Sequence, residues 1–263
     1  MEKVQCNGHT ICYVDQGQGE PVILLHGYCG SSSYWEQVLH HLNGYRVIVP
    51  DLRGHGRSDA PMGPYTIEQM ADDVMMLMDE LKIEKATMLG HSLGGYITLS
   101  FVQRYSSRVN AFGLIHSTGY PDSDEAKEKR VKAVSVIQGE GITSFVDGLI
   151  PGLFAPETEK LKPECIQKAK EIGYSTPPQG AIGAALAMRE RIDRRDVISS
   201  TTLPVLLVAG EKDGLMPQER VFTTDHSNVT QVVINGAGHM SMMERPEELG
   251  EAIHSFLNKV YPA

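Results

Sequence analysis

Short apolar runs recur along this chain, each ending in glycine or polar residues and giving way to a stretch of different period. Pro21-Val22-Ile23-Leu24-Leu25, Val47-Ile48-Val49, Ala86-Thr87-Met88-Leu89, Val109 to Ile115 and Pro204 to Gly210 place apolar residues at successive positions, as strands buried on both faces do. Val232-Val233-Ile234 is a shorter run of the same kind. Between them the period changes: Ile67, Met70, Val74, Leu77, Met78 and Leu81 predict an amphipathic helix opening at a Thr66 cap, with Gln69 three residues on. Its methionines read as packing rather than as ligands. Helices are also predicted from Ser31-Ser32-Ser33 through Trp35 to Leu42, over Tyr96 to Arg104, over Pro217 to Thr224, and over Glu247 to Val260 with Ile253, Phe256 and Leu257 inward. Val4 to Val14 predicts a hairpin turning at Asn7-Gly8. Buried strands alternating with amphipathic helices predict an α/β fold, a mostly parallel central sheet with helices on both faces.

From Gly119 to Ser200 the strand pattern stops. Asp122-Ser123-Asp124-Glu125 opens a charged helix toward Gln138, and further helices are predicted over Gly141 to Leu149, Pro163 to Ile172 and Pro178 to Arg191. The expected organisation is a core of residues 1–118 and 201–263 with a helical insertion at 119–200. Ile142, Phe145, Val146, Leu149, Ile150, Leu153 and Phe154 are numerous for a surface element, so most should pack the insertion onto the core and some should line a pocket. The charge cluster Arg189 to Asp196 is expected to form a solvated face or ion pairs to the core rather than a substrate site.

The candidate chemistry starts at Gly90-His91-Ser92-Leu93-Gly94, where a strand run breaks directly into a helix. A serine between glycines at minus two and plus two is the nucleophile-elbow pattern, in which a tight turn forbids side chains on either side and leaves the hydroxyl at the carboxyl end of a sheet. The Leu93 amide then points where partial positive charge stabilises an oxyanion. A nucleophilic serine needs a base and an acid to orient it, in the chain order Ser, acid, His. Asp213 follows the run 204–210, and His239 follows Val232-Val233-Ile234 in Asn235-Gly236-Ala237-Gly238-His239. Glu211 competes for the acid position but sits nearer the strand end, free to point to solvent. No carboxylate follows the preceding strand, where Leu114-Ile115-His116-Ser117-Thr118 stands. Upstream, Pro21 to Leu25 ends in His26-Gly27-Tyr28-Cys29-Gly30, and the Tyr28 amide is the second expected oxyanion donor.

With His26-Gly27-Tyr28, the serine motif, the acid loop and Gly236-Ala237-Gly238-His239 in this order, the sequence resembles the α/β-hydrolase family over nearly its whole length. Asp51-Leu52-Arg53-Gly54-His55-Gly56-Arg57-Ser58-Asp59 looks like the family's loop after the strand at 47–49. The resemblance implies that 119–200 is a cap over the active site. It also implies a two-step acyl transfer on a small carboxylic ester: Ser92 attacks, His239 takes and returns the proton, Asp213 fixes the imidazole, and the Tyr28 and Leu93 amides hold the oxyanion. Serine at 92 argues against a dehalogenase or epoxide hydrolase, which use aspartate there. Lactonase, carbon–carbon bond hydrolase and perhydrolase chemistry stay open, as does a signalling receptor that keeps the triad for ligand sensing.

The remaining features narrow the partners. Twenty-four Lys and Arg against 33 Asp and Glu give a formal charge of −9, which disfavours a nucleic-acid or anionic-membrane partner. Cys6, Cys12, Cys29 and Cys165 show no C-x-x-C pairing; Cys6 and Cys12 lie on opposite arms of the predicted hairpin, where a bridge is compatible but not required. No signal-peptide pattern opens the chain and no apolar run approaches the roughly 20 residues of a membrane span, so a cytoplasmic protein is expected. His26, His55 and His91 lack metal-ligand spacing, and neither metal nor organic cofactor is expected. His26 and His55 read as hydrogen-bonded structural residues and Cys29 as a small buried filler.

Overall fold

A computed structural model describes residues 1–6 and 8–262, so Asn7 of the predicted hairpin turn lies outside the described residues. The strands are β1 (Glu2–Cys6), β2 (His9–Gln16), β3 (Glu20–Leu25), β4 (Tyr45–Pro50), β5 (Ala86–His91), β6 (Val109–Ile115), β7 (Val205–Gly210) and β8 (Val229–Ile234). They form one 8-stranded sheet in the order β1-β2-β4-β3-β5-β6-β7-β8. The hairpin β1–β2 and the β2–β4 pair are antiparallel, and every other neighbour is parallel.

The apolar runs divide between two cores, one on each face. Ile23 and Leu25, Ile48, Ala86 and Met88, and Val205, Leu207 and Ala209 point into one. Val22 and Leu24, Val47 and Val49, Leu89, and Leu206 and Val208 point into the other. This is the period-2 alternation of a strand applied to a sheet covered on both sides.

The helices are α1 (Ile67–Glu80), α2 (Leu93–Tyr105), α3 (Asp124–Leu149), α4 (Thr158–Leu161), α5 (Pro163–Tyr174), α6 (Pro178–Glu190), α7 (Arg195–Ser200), α8 (Gln218–Val221), α9 (Ser241–Glu244) and α10 (Pro246–Val260). The cap of α1 is reciprocal: Thr66 Oγ1 accepts from the Gln69 amide at 3.0 Å and Gln69 Oε1 from the Thr66 amide at 3.1 Å. The α1 and α2 side chains fill the first core, while Trp35, Val38 and the inward face of α10 fill the second. No helix among the described residues is long and apolar enough to cross a membrane.

Several expected boundaries change. The helix expected through Leu42 is two 3₁₀ turns, Ser32–Trp35 and Leu39–Leu42, and Ser31 caps only the first. The helix expected over Pro217 to Thr224 is the single turn α8. The two helices expected on either side of Gly141 are one element kinked there, because Gly141 adopts φ 88°, which breaks the helical path without ending it. The short α4 and α7 carry too few residues for a periodic signal and escape the pattern. The four cysteines are free and buried, and Cys6 pairs in register with His9 rather than facing Cys12.

Candidate active site

The parallel strands deliver their following loops to one edge of the sheet. β5 ends at His91 and α2 begins at Leu93, so Ser92 alone makes the turn, with φ 51° and ψ −112°. That conformation is costly for a residue with a Cβ, and the surroundings hold it: the Ser92 amide donates to Ile115 O at 3.0 Å, and Ser117 Oγ donates to Ser92 O at 2.8 Å. The flanking glycines are steric requirements. A Cβ on Gly90 would lie 2.5 Å from the Gly95 nitrogen, and one on Gly94 would lie 2.5 Å from Leu25 O.

The loop after β7 carries Asp213 and the loop after β8 carries His239. Asp213 Oδ2 accepts from His239 Nδ1 at 2.8 Å, while Oδ1 accepts from the Leu215 and Met216 amides, both at 2.9 Å. Burial pushes the Asp213 carboxyl up, but the His239 and His116 imidazoles beside it outweigh burial and hold it well below the usual carboxylate range. Held through Nδ1, His239 presents Nε2, which is buried and has no partner among the described residues, to the same cavity as Ser92. An imidazole in this tautomer accepts a proton at Nε2. Glu211, the competing acid, is exposed and accepts the Gly236 amide at 2.8 Å.

Two residues the sequence reading passed over complete this corner. His116, at the end of β6 where no acid stands, donates from Nδ1 to the same Asp213 Oδ2 at 3.0 Å, and its Nε2 lies 2.7 Å from Ser241 Oγ. Its burial lowers its basicity despite the carboxylate, so it is a neutral donor. The donor atoms of His116, Asp213 and His239 fall within 4.8 Å of one another. The direct N···O contacts are those of hydrogen bonds, shorter than the about 3.3 Å that separates two ligands across one tetrahedral zinc ion. Glu244, 2% exposed, is the second. Its Oε2 accepts the Gly238 amide at 2.8 Å, and its Oε1 accepts the Ala155 amide at 2.8 Å and Thr158 Oγ1 at 2.6 Å. One carboxylate thus ties the His239 loop to the helical segment between β6 and β7. Neither residue sits in a recognisable motif, and both are made important only by where the strands end.

The loop after β3 supplies Tyr28. His26 Nε2 accepts the Leu52 amide at 2.9 Å, and Asp51 accepts the Ser32 and Arg57 amides at 2.7 and 2.9 Å, so the loops after β3 and β4 brace each other. Burial holds His26 and His55 neutral, at about 4 and about 3, as structural residues. The amides of Tyr28 and Leu93 have no hydrogen-bond partner among the described residues. His91 donates from Nε2 to His239 O at 2.9 Å, fixing that loop's backbone. Cys29 is fully buried, and burial pushes its thiol up to about 12, so it holds no thiolate.

These residues open onto a cavity of about 360 Å³. Ser92, His239 and Tyr28 line it together with Phe145, Leu149 and Leu153 of the helical segment. Its lining also includes Arg130, Arg191 and Arg220. The charge cluster divides: Arg194 pairs with Glu68 of α1, as expected of an ion pair to the core, but Arg191 turns into the cavity.

Comparison with known proteins places the chain in the same setting. A family model described as alpha/beta hydrolase fold matches residues 20–135. An esterase from Thermogutta terrifontis, solved with malate bound, is 34% identical over 99% of this chain and 100% of its own, with a TM-score of 0.94. The enol-lactonase of Burkholderia xenovorans LB400 is 25% identical over 98% of this chain and 100% of its own, with a TM-score of 0.91. Among curated proteins, 3-oxoadipate enol-lactonase 2 of Acinetobacter baylyi is 26% identical over 94% of this chain and 92% of its own length.

Proposed function

The chain belongs to the α/β-hydrolase family, and from that premise we propose that it is a serine hydrolase cleaving small carboxylic esters through an acyl-enzyme. The observation that carries this reading is the pairing of a strained Ser92 with a His239 held by Asp213 on one cavity. Ser92 Oγ attacks the ester carbonyl as His239 Nε2 takes its proton. Asp213 keeps the imidazole in the Nδ1–H tautomer and offsets its charge once protonated. The unpartnered Tyr28 and Leu93 amides receive the oxyanion, each donor of this kind lowering the barrier by about 3 kcal/mol. His239 then protonates the departing alcohol. Water, deprotonated by the same nitrogen, releases the acid and restores Ser92.

His116 acts on Asp213 rather than on substrate, as a positioning residue. The helices between β6 and β7, residues 119–200, serve as the cap, with Phe145, Leu149 and Leu153 forming an apolar wall of the acyl pocket. A lactone is an internal ester and is opened by the same steps; the enol-lactonases among the relatives support including lactones in the substrate range.

The test is steady-state hydrolysis of p-nitrophenyl esters from acetate to laurate and of simple lactones, by wild type and Ser92→Ala. Turnover on short acyl chains that disappears in Ser92→Ala is the expected result. Turnover that survives the substitution overturns the reading.

A further inference from the structure

The cavity is cationic, although the chain carries a formal charge of −9. Lys129, Arg130, Arg191 and Arg220 line it against two acids, Asp122 and Glu125. Lys129 and Glu125 neutralise each other as an exposed pair at 2.7 Å. Asp122, whose side chain is 3% exposed, is shared between two arginines: it accepts from Arg130 Nε at 3.1 Å and from Arg191 Nη1. One carboxylate therefore stands against two guanidiniums.

Arg191 is no solvated tether. Its side chain is 5% exposed, its Nε donates to Tyr120 O at 3.1 Å, its Nη1 also donates to Met188 O at 3.0 Å, and its guanidinium lies 4.0 Å from the centre of the Tyr96 ring. Nη2 of Arg191 and both Nη atoms of Arg130 have no acceptor among the described residues. Arg220 packs on the Tyr120 ring at 5.2 Å and has no carboxylate partner among the described residues. A positive charge withdrawn from water with half a counter-charge is unfavourable, and an anion entering the cavity relieves it.

We propose that Arg130, Arg191 and Arg220 bind a carboxylate of the substrate, so that the preferred substrates are esters or lactones carrying a second, free carboxylate. Guanidinium forks present paired N–H groups that match the two oxygens of a planar carboxylate. Arg191, fixed by its other contacts, offers Nη2 to the anion, while the free Nη pair of Arg130 supplies the fork and Arg220 adds a third positive charge. This rests on the serine-hydrolase reading for its chemistry: water adds across the acyl–oxygen bond of a half-ester, giving a dicarboxylate and an alcohol. The charge excess concentrates anionic substrates in a chain that otherwise repels them.

The experiment compares monoethyl succinate, glutarate and adipate with their diethyl esters by pH-stat, using wild type, Arg130→Gln and Arg220→Gln. Both variants leave the Arg191–Asp122 pair in place, and Arg130→Lys checks for rescue by charge. Isothermal titration of glutarate into Ser92→Ala runs beside it. The ratio of kcat/KM for half-ester over diester is expected to exceed about tenfold in wild type and to fall about tenfold or more in each Gln variant, through KM. Diesters hydrolysed as well as half-esters overturn the carboxylate site and leave the hydrolase reading standing. If no ester is hydrolysed, the hydrolase reading fails on its own. Glutarate binding that is lost when Arg130→Gln is added then still supports the anion site, and absent binding overturns it.

Discussion

Asp213 Oδ2 accepts a hydrogen bond from His116 Nδ1 at 3.0 Å beside the one from His239 Nδ1 at 2.8 Å. A single oxygen thus serves the proposed base and a second, buried imidazole whose far nitrogen meets Ser241. Hydrogen bonds to a charged group contribute about 1.5–3 kcal/mol, so His116→Leu should lower kcat by about 10- to 100-fold with little change in KM. With one donor gone, the Asp213 carboxyl rises toward its ordinary range and the acid limb of the kcat profile moves to higher pH. Steady-state kinetics across pH on p-nitrophenyl acetate reads both, and a purely structural role for His116 moves neither.

Ser92 carries a φ of 51° with a Cβ attached. Glycine relieves that strain and alanine keeps it. Ser92→Gly should therefore be more stable than Ser92→Ala by about 1 kcal/mol, a rise of about 2–4 °C in Tm, with both variants inactive. Paired thermal melts decide it.

Glu244 joins the Gly238 amide on one side to Ala155 and Thr158 on the other. Removing the carboxylate leaves three buried donors without an acceptor. Glu244→Ala should cost about 3 kcal/mol or more, a fall of about 6–12 °C in Tm. Hydrogen exchange should quicken first at Gly238 and Ala155, while Glu244→Gln keeps part of the loss back.

Buried histidines set the acid limit. His26 stays neutral in the folded protein down to about 4, whereas an unfolded imidazole protonates near its ordinary value of 6.5. Between those values the unfolded chain binds the extra proton, so unfolding free energy falls as pH drops through that window, by about 3 kcal/mol for His26 alone. His55, held to about 3, acts in the same direction. Urea unfolding at pH 7, 6, 5 and 4 should show the decline, and His26→Gln, which keeps an acceptor for the Leu52 amide, should flatten it.

The sheet was legible because its strands are continuous apolar runs, and the placement of Ser92, Asp213 and His239 at one sheet edge because each lies in the loop or turn directly after such a run. Gly90 and Gly94 carried their steric reason in the motif itself. His116 was not legible: its role depends on the end of β6 lying beside that of β7, a neighbour relation with no local signal. The cavity-facing placement of Arg191 was not legible, because a run of alternating charge has the same appearance whether it faces solvent or a cavity. Only the packing of Tyr96 and Asp122 against it separates the two. The kink at Gly141 comes from a glycine in the left-handed region, which an apolar periodicity does not register, and the segment after Ser31 folds as two 3₁₀ turns rather than one helix.

The central claim, that Ser92 is a nucleophile activated through His239, is tested most directly by mass spectrometry of the protein after exposure to a fluorophosphonate. The account predicts one adduct per chain, on the tryptic peptide containing Ser92, forming at least a hundredfold more slowly in His239→Ala. A folded wild-type protein that stays unlabelled at Ser92, or that labels equally fast without His239, would contradict it.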